Sequence, residues 1–224
     1  MAQHFGVLQW QLNDCWPVTS WSSVDYYGRW KALHYAVKSA FQKYIISVDD
    51  TGKIVQVHIT SDDTAFTKAT LILTAEDFAG NILWGDSTVA SLSPGRSIIA
   101  YKENFDELTV SFNPLRTFLK MELKKNGNTL AQKIYYFKKP KDLLIDKPDV
   151  HFTVQKQNDG YVLSLSAKTL AKNILIEMKD SDAHFSENYF DLLPKETKTV
   201  SFKSTLTIEE IQKKIIVKSL TDTF

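Results

Sequence analysis

Past residue 44, short runs rich in Val, Ile, Leu, Thr and Tyr alternate with Gly, Asn, Asp and Pro punctuation. That rhythm commits most of the chain to β-structure. Strands are expected at 44–48, 54–61, 67–77, 82–90, 97–101, 108–112, 118–125 and 129–137. Val55, Val57 and Ile59 alternate with Gln56, His58 and Thr60, as a strand with one wet face requires. Asp50-Thr51-Gly52, Gly80-Asn81 and Asn126-Gly127 mark turns, the last a strong hairpin signal. About 95 residues with seven or eight short strands match an immunoglobulin-like sandwich. A single cysteine, Cys15, excludes an intrachain disulfide, so this sandwich must be held by packing alone. With 43% hydrophobic residues the chain has the apolar material for it.

Lys138-Lys139-Pro140-Lys141-Asp142 and Asp146-Lys147-Pro148 bracket a charged, proline-bearing segment that reads as an interdomain linker. Beyond it the strand rhythm resumes at 150–156, 161–167, 173–179, 188–192, 197–203 and 215–220, with one helical turn at 208–211. This is a second, smaller sandwich.

The first residues are a different kind of object. Four of the five Trp (Trp10, Trp16, Trp21 and Trp30) fall here. Val7-Leu8-Gln9-Trp10-Gln11-Leu12 is a β-type run stopped by Asn13-Asp14, and Trp16-Pro17 forces an extended or turning backbone. After Gly28, the spacing of Trp30, Leu33, His34, Val37 and Phe41 gives a helix with one apolar face. One strand and one helix cannot fold alone, because a parallel strand needs neighbours. The head therefore reads as the edge of a larger α/β domain. Deprived of that domain, the helix is expected to dock on the first sandwich or on a second copy of the chain. The strand at 7–12 is expected to be poorly ordered or to add to another sheet edge.

Several chemistries are excluded by the residues present. The histidines His4, His34, His58, His151 and His184 have no metal-ligand spacing, and Cys15 stands alone. There is no Gly-rich phosphate loop and no Gly-x-Ser-x-Gly elbow, so neither a metal nor a cofactor is expected. Asp62-Asp63, Glu76-Asp77 and Glu209-Glu210 are sequence neighbours, which in a strand point to opposite faces, and they read as surface charge. A formal charge of +1 supplies no field for nucleic acid or an anionic membrane, and no apolar run approaches the roughly 20 residues of a membrane helix. The N-terminal residues show no basic region followed by an apolar stretch, so no signal peptide is expected in this chain. The tryptophans are the exception, since their faces suit the apolar face of a sugar ring and neighbouring Asn or Asp can bond its hydroxyls.

Trp10-Gln11-Leu12-Asn13-Asp14-Cys15-Trp16-Pro17, then Ser20-Trp21-Ser22-Ser23, Asp25-Tyr26-Tyr27-Gly28-Arg29-Trp30-Lys31 and Leu33-His34-Tyr35, closely resembles the end of the catalytic barrel in β-mannosidases of glycoside hydrolase family 2. Phe185-Ser186-Glu187-Asn188-Tyr189-Phe190-Asp191-Leu192-Leu193-Pro194 is similar to the signature of that family's C-terminal Ig-like domain. The resemblance implies a mainly β chain: two tandem Ig-like β-sandwiches preceded by the last strand and helix of a (β/α)8 barrel. The implied units are 1–44 (barrel remnant), 45–140 (mannosidase-type Ig-like sandwich) and 141–224 (C-terminal Ig-like sandwich).

The family performs retaining hydrolysis of terminal β-D-mannosides with two glutamates carried on earlier barrel strands. Its acid/base lies in an Asn-Glu pair, which does not occur here. The resemblance therefore implies no catalytic residue in this chain and accessory domains without catalysis of their own. It implies substrate-facing roles, in the full-length parent, for Trp10 as the aromatic floor and for Asn13, Asp14 and Trp16 as the wall. Active sites of such barrels sit at the C-terminal ends of strands, which is where this segment would lie. Arg29, Trp30 and His34 read as packing. The expected partners are the mannoside and the rest of the barrel, with self-association through an exposed head. The compartment stays open, the parent being periplasmic, secreted or lysosomal. The competing reading is a free-standing carbohydrate-binding β-sandwich module.

Overall fold

The structure is a computed structural model and describes residues 7–223. His4 and the outer ends of the first and last expected units lie outside the described residues. From Tyr44 onward two β-sandwiches follow one another, as the alternating pattern requires.

The first packs a sheet of β1 (Tyr44–Asp50), β2 (Ile54–Ser61) and β5 (Arg96–Asn104), ordered β1-β2-β5, against a second sheet. That second sheet holds β3 (Thr67–Asp77), β4 (Ile82–Leu92), β6 (Thr117–Lys125) and β7 (Asn128–Tyr136), ordered β4-β3-β6-β7. Every pairing is antiparallel. Ile46, Val55, Val57 and Ile59 meet Leu71, Leu73, Leu119, Met121 and Leu123 in one buried core. The Asn126-Gly127 turn works as its chemistry demands, with both residues at positive φ (50° and 80°).

The second sandwich sets β8 (Val150–Gln157), β9 (Gly160–Ala167) and β12 (Thr197–Phe202), ordered β12-β9-β8, against β10 (Ala171–Met178), β11 (Phe190–Leu192) and β13 (Ile215–Lys218), ordered β11-β10-β13. Leu163, Leu165, Val200 and Phe202 pack on Ile174, Ile176, Leu192 and Ile215. Ile211 of a short helix, α3 (Ile208–Lys214), closes that core.

Three elements differ from the expectation. Residues 108–112 do not form a strand. Leu108 lies instead in α2 (Phe105–Thr109), because the Asn104 side chain accepts from the Asp106 N–H (2.9 Å) and nucleates a helical turn. Asn188 is not in a strand either. Its side chain bonds both the N–H and the C=O of Ile176 (2.8 and 2.9 Å), doing a strand's pairing, so β11 starts only at Phe190. The 138–148 segment runs between the sandwiches, but it is clamped rather than loose. Leu143 joins Phe78, Phe118, Leu170 and Leu193 in a third buried cluster that welds the two sandwiches together.

The head departs furthest. Residues 7–12 form no strand and join neither sandwich's sheets; the Leu12 carbonyl instead accepts from the N–H groups of Ser23 and Val24 (3.2 and 2.9 Å). The helix does form, as α1 (Ala32–Ala40), but it docks on the second sandwich and not on the first. Its buried residue is Tyr35, 8% exposed, whose hydroxyl donates to the Phe185 carbonyl (3.2 Å), while Phe41 of the expected apolar face is left in solvent. The expected stripe is thus only partly used, with Trp30 and His34 at the seam and Phe41 in solvent.

Candidate functional site

The head is built from three short extended pieces held side by side. Asp14 N–H donates to Val24 O (3.1 Å) and Val24 N–H to Leu12 O (2.9 Å). Lys31 N–H donates to Ser23 O and Asp25 N–H to Arg29 O (3.0 Å each). Asn13 thus bridges Val24 in parallel, and Val24 bridges Trp30 antiparallel. The Asp25 carboxylate tightens the turn between the last two pieces by accepting from the N–H groups of Tyr27 and Arg29 and from Arg29 Nε (2.6 Å). Gly28, at φ 84°, supplies the left-handed residue the turn needs.

One polar knot pins this arrangement. The Asp14 carboxylate accepts from the Ser20 hydroxyl and pairs with Lys31 Nζ (3.0 Å). Lys31 Nζ also donates to Ser22 Oγ (2.8 Å). Asp14 is only 5% exposed. The Ser20 hydroxyl holds its carboxyl below the ordinary carboxylate range, against the opposing effect of burial, with Lys31 and Ser22 adding to it.

The four residues singled out in the sequence are therefore placed differently from one another. Trp10 and Trp16 are 82% and 64% exposed, and Trp21 joins them at 67%. Asn13 is exposed, with its Nδ2 donating to the Asp14 carbonyl (3.2 Å). Asp14 faces inward, and its carboxylate is occupied by Ser20 and Lys31. The Trp10–Gln11 peptide is cis.

On its other side the head meets the second sandwich. Trp30 is sandwiched between two imidazoles, His34 at 4.4 Å and His184 at 4.7 Å between ring centres, the latter nearly parallel at 8°. His184 Nε2 lies 3.0 Å from the Gly28 carbonyl, and Lys38 Nζ donates to the Ser186 carbonyl (2.6 Å). A cleft of about 780 Å³ opens along this seam, bordered by Tyr27, Trp30, Asp182 and His184. His184, Tyr35 and Lys38 were beyond sequence reasoning, because their partners lie about 150 positions away in the chain.

The carboxylate pairs are committed elsewhere. Asp63 accepts from the Tyr44 hydroxyl and pairs with Lys43; Asp77 closes its turn on Ala79 and Asn81; Glu210 completes a capping box with Thr207 at the start of α3. Among the described residues no group of His, Cys, Asp and Glu could hold a metal ion, and no helix is long and apolar enough to cross a membrane. What the head offers is aromatic faces beside an amide, which suits a sugar ring.

Comparison with known proteins gives this geometry a context. Residues 53–142 match the family described as "Mannosidase Ig/CBM-like domain", and residues 145–223 match an Ig-fold domain of mannosidases. The chain is 27% identical over 220 residues to β-mannosidase A of Neosartorya fischeri, covering 89% of this chain and 23% of that protein. It is likewise 27% identical over 237 residues to the β-mannosidase of Bos taurus, covering 98% of this chain and 26% of that one. It thus spans about a quarter of the length of the curated relatives it matches. Among solved structures, a β-D-mannosidase from Dictyoglomus thermophilum superimposes with a TM-score of 0.79 at 23% identity, over 94% of this chain and 26% of that one. An exo-chitosanase from Amycolatopsis orientalis does so at 0.60 and 14%, over 94% and 29%. Both likenesses speak to the fold.

Proposed function

We propose, from the premise that this chain carries the paired Ig-like domains of the glycoside hydrolase family 2 β-mannosidases, that it completes a mannoside site without supplying the catalytic carboxylates. In this reading the two sandwiches carry and orient the head, and the head forms part of a sugar-binding wall beside a catalytic barrel. Trp10 is the platform under the sugar ring, with Asn13 and Trp16 shaping the wall beside it. Asp14 shapes it from behind, by fixing Lys31 and the 20–24 loop. Hydrolysis of terminal β-mannosides belongs to the barrel, where a retaining mechanism needs two carboxylates about 5–5.5 Å apart.

The observation that carries this reading is the contrast within the head. A half-buried ion pair and a set of backbone bonds fix its shape, yet Trp10, Trp16 and Trp21 stand in solvent. Uncovered aromatic side chains of that size suit a surface completed by another body and a ligand. The same exposed tryptophans favour the second reading, a free-standing saccharide-binding module.

Two measurements separate these. The purified chain is expected to show neither turnover of an aryl β-mannoside nor saturable mannoside binding; saturable binding would transfer the assignment to the binding module. A chimera in which this chain replaces the matching quarter of the Neosartorya fischeri enzyme is expected to hydrolyse the aryl mannoside. Trp10→Ala in that chimera should lower kcat/KM about tenfold, the loss of a stacked aromatic contact. A folded chimera indifferent to Trp10→Ala would refute the role of Trp10.

A further inference from the structure

We infer that His184, on the second sandwich, is a positioning residue for the Trp10–Trp16 wall, acting through Trp30. The inference rests on the proposed reading of the head as a sugar-site wall, but the coupling itself stands on contacts within this chain.

The contacts form an unbroken series. The His184 ring lies flat on Trp30, 4.7 Å between centres and 8° from parallel. Its Nε2 sits 3.0 Å from the Gly28 carbonyl; a carbonyl only accepts, so this His184 carries its proton on Nε2. One side chain thus fixes both the turn glycine and the aromatic two residues later. Trp30 bridges Val24, and Val24 bridges Asn13. The next residue, Lys31, donates through its backbone to Ser23 and through its ammonium to Asp14 and Ser22. Turning Trp30 therefore moves Lys31, and moving Lys31 strips the Asp14 carboxylate of its ion pair and leaves the Ser20 hydroxyl to hold the loop behind Asn13. His34 covers the opposite face of Trp30 from α1, which Tyr35 and Lys38 tie to Phe185 and Ser186. The series runs from the second sandwich to the wall and bypasses the first sandwich altogether.

The arrangement also accounts for the sequence run that begins with Phe185-Ser186-Glu187-Asn188. Asn188 locks this run to β10 through Ile176, so His184 is presented from a fixed base and not from a loose loop. His184 is itself exposed at the seam, so replacing it leaves the sandwich core intact.

Amide hydrogen exchange on the full chain tests this. His184→Ala should speed exchange at Asp14, Val24 and Lys31 by about three- to tenfold, the range a lost aromatic contact allows for local opening, with the β9 amides unchanged. The Trp30 indole NMR resonance should move as the stacked imidazole is lost. His184→Phe keeps a ring on Trp30 and should restore most of the protection. Unchanged exchange at Asp14 and Val24 while the Trp30 resonance shifts would overturn the proposal, because the stack would then be lost without consequence. Equal acceleration in β9 and the head, in both variants, would overturn it as well, as that is loss of the domain and not of a coupling. None of these readouts involves sugar, so the wall's role in mannoside binding stands or falls separately on the chimera.

Discussion

Asp14 and Asp63 are the two carboxylates whose surroundings most clearly settle what they do. Each is held in ionised form by a hydroxyl first and a lysine after it: Ser20 and Lys31 at Asp14, Tyr44 and Lys43 at Asp63. Asp63 is brought down from 3.8 to about 2. A carboxyl whose pKa is lower folded than unfolded binds fewer protons when folded, so its contribution is complete above the unfolded value and is lost as pH falls through the folded one. Stability should therefore decline between about pH 4 and pH 2 in part through Asp63. Asp63→Asn should lower stability at neutral pH, where the contribution is complete, and flatten the acid limb so that variant and parent converge near pH 2. Urea unfolding at stepped pH checks this, and an acid limb as steep in the variant as in the parent would remove Asp63 from the account. The Asp14 knot was not legible in the sequence. Asp14 and Lys31 are 17 positions apart with no intervening regular element, so no periodicity joins them. The resemblance marked Asp14 as part of the wall, and its inward-facing carboxylate came only with the fold.

At the scale of elements, legibility followed the source of each element's stability. β2 and β3 fall where their alternating apolar residues put them, because a half-buried strand writes its environment into every second position. α2 defeated that reasoning. Leu108-Thr109-Val110-Ser111-Phe112 alternates like a strand, yet Asn104 caps a helix and Asp106 and Glu107 favour its first turn. The helix turns Leu108 into the first sandwich at 2% exposure, with Phe105 and Phe112 packed around the same core. Leu108→Ala should accordingly cost about 2–5 kcal/mol, as emptying a core site does, where a strand-edge position in solvent would cost little. The urea midpoint of the variant reads this directly, and a near-neutral result would show that α2 does not plug the sandwich. α1 illustrates the opposite case. Its sequence stripe runs through Trp30, Leu33, His34, Val37 and Phe41, but the surface that receives it offers the Phe185 and Ser186 carbonyls, so Tyr35 is buried and Lys38 reaches across from solvent, while Phe41 is left in water. A helix's own pattern cannot report a surface 150 positions away.

The two sandwiches share a buried cluster, and the head beside them leaves one side uncovered. Phe78, Phe118, Leu143, Leu170 and Leu193 seal the sandwiches together. Beside them Lys172 lies 3.9 Å from the Tyr136 ring centre and pairs with Asp191, which accepts from the Tyr136 hydroxyl. Gly80 leaves no room for a side chain against Pro194, whose Cγ would lie 2.8 Å from an added Cβ. This interface, the docked α1 and the His184 stack form the base beneath the head. Among the described residues the head has no such complement on its outer side: Leu8, Leu12, Trp10, Trp16 and Trp21 are all in water. Monomeric proteins rarely leave so many large apolar side chains uncovered in one region, and burying each one is worth about 1.5–3 kcal/mol. In the absence of a covering domain, a second copy of the chain is the surface at hand, and it brings the same apolar patch in a two-fold arrangement. The chain alone should therefore self-associate with rising concentration. Trp10→Ser combined with Trp21→Ser should shift it toward the monomer without lowering its thermal midpoint, because neither side chain contributes to either sandwich core. Light scattering coupled to size-exclusion chromatography measures this. A chain that stays monomeric at every concentration, or a double variant that associates as strongly as the parent, would show that the exposed tryptophans drive no association.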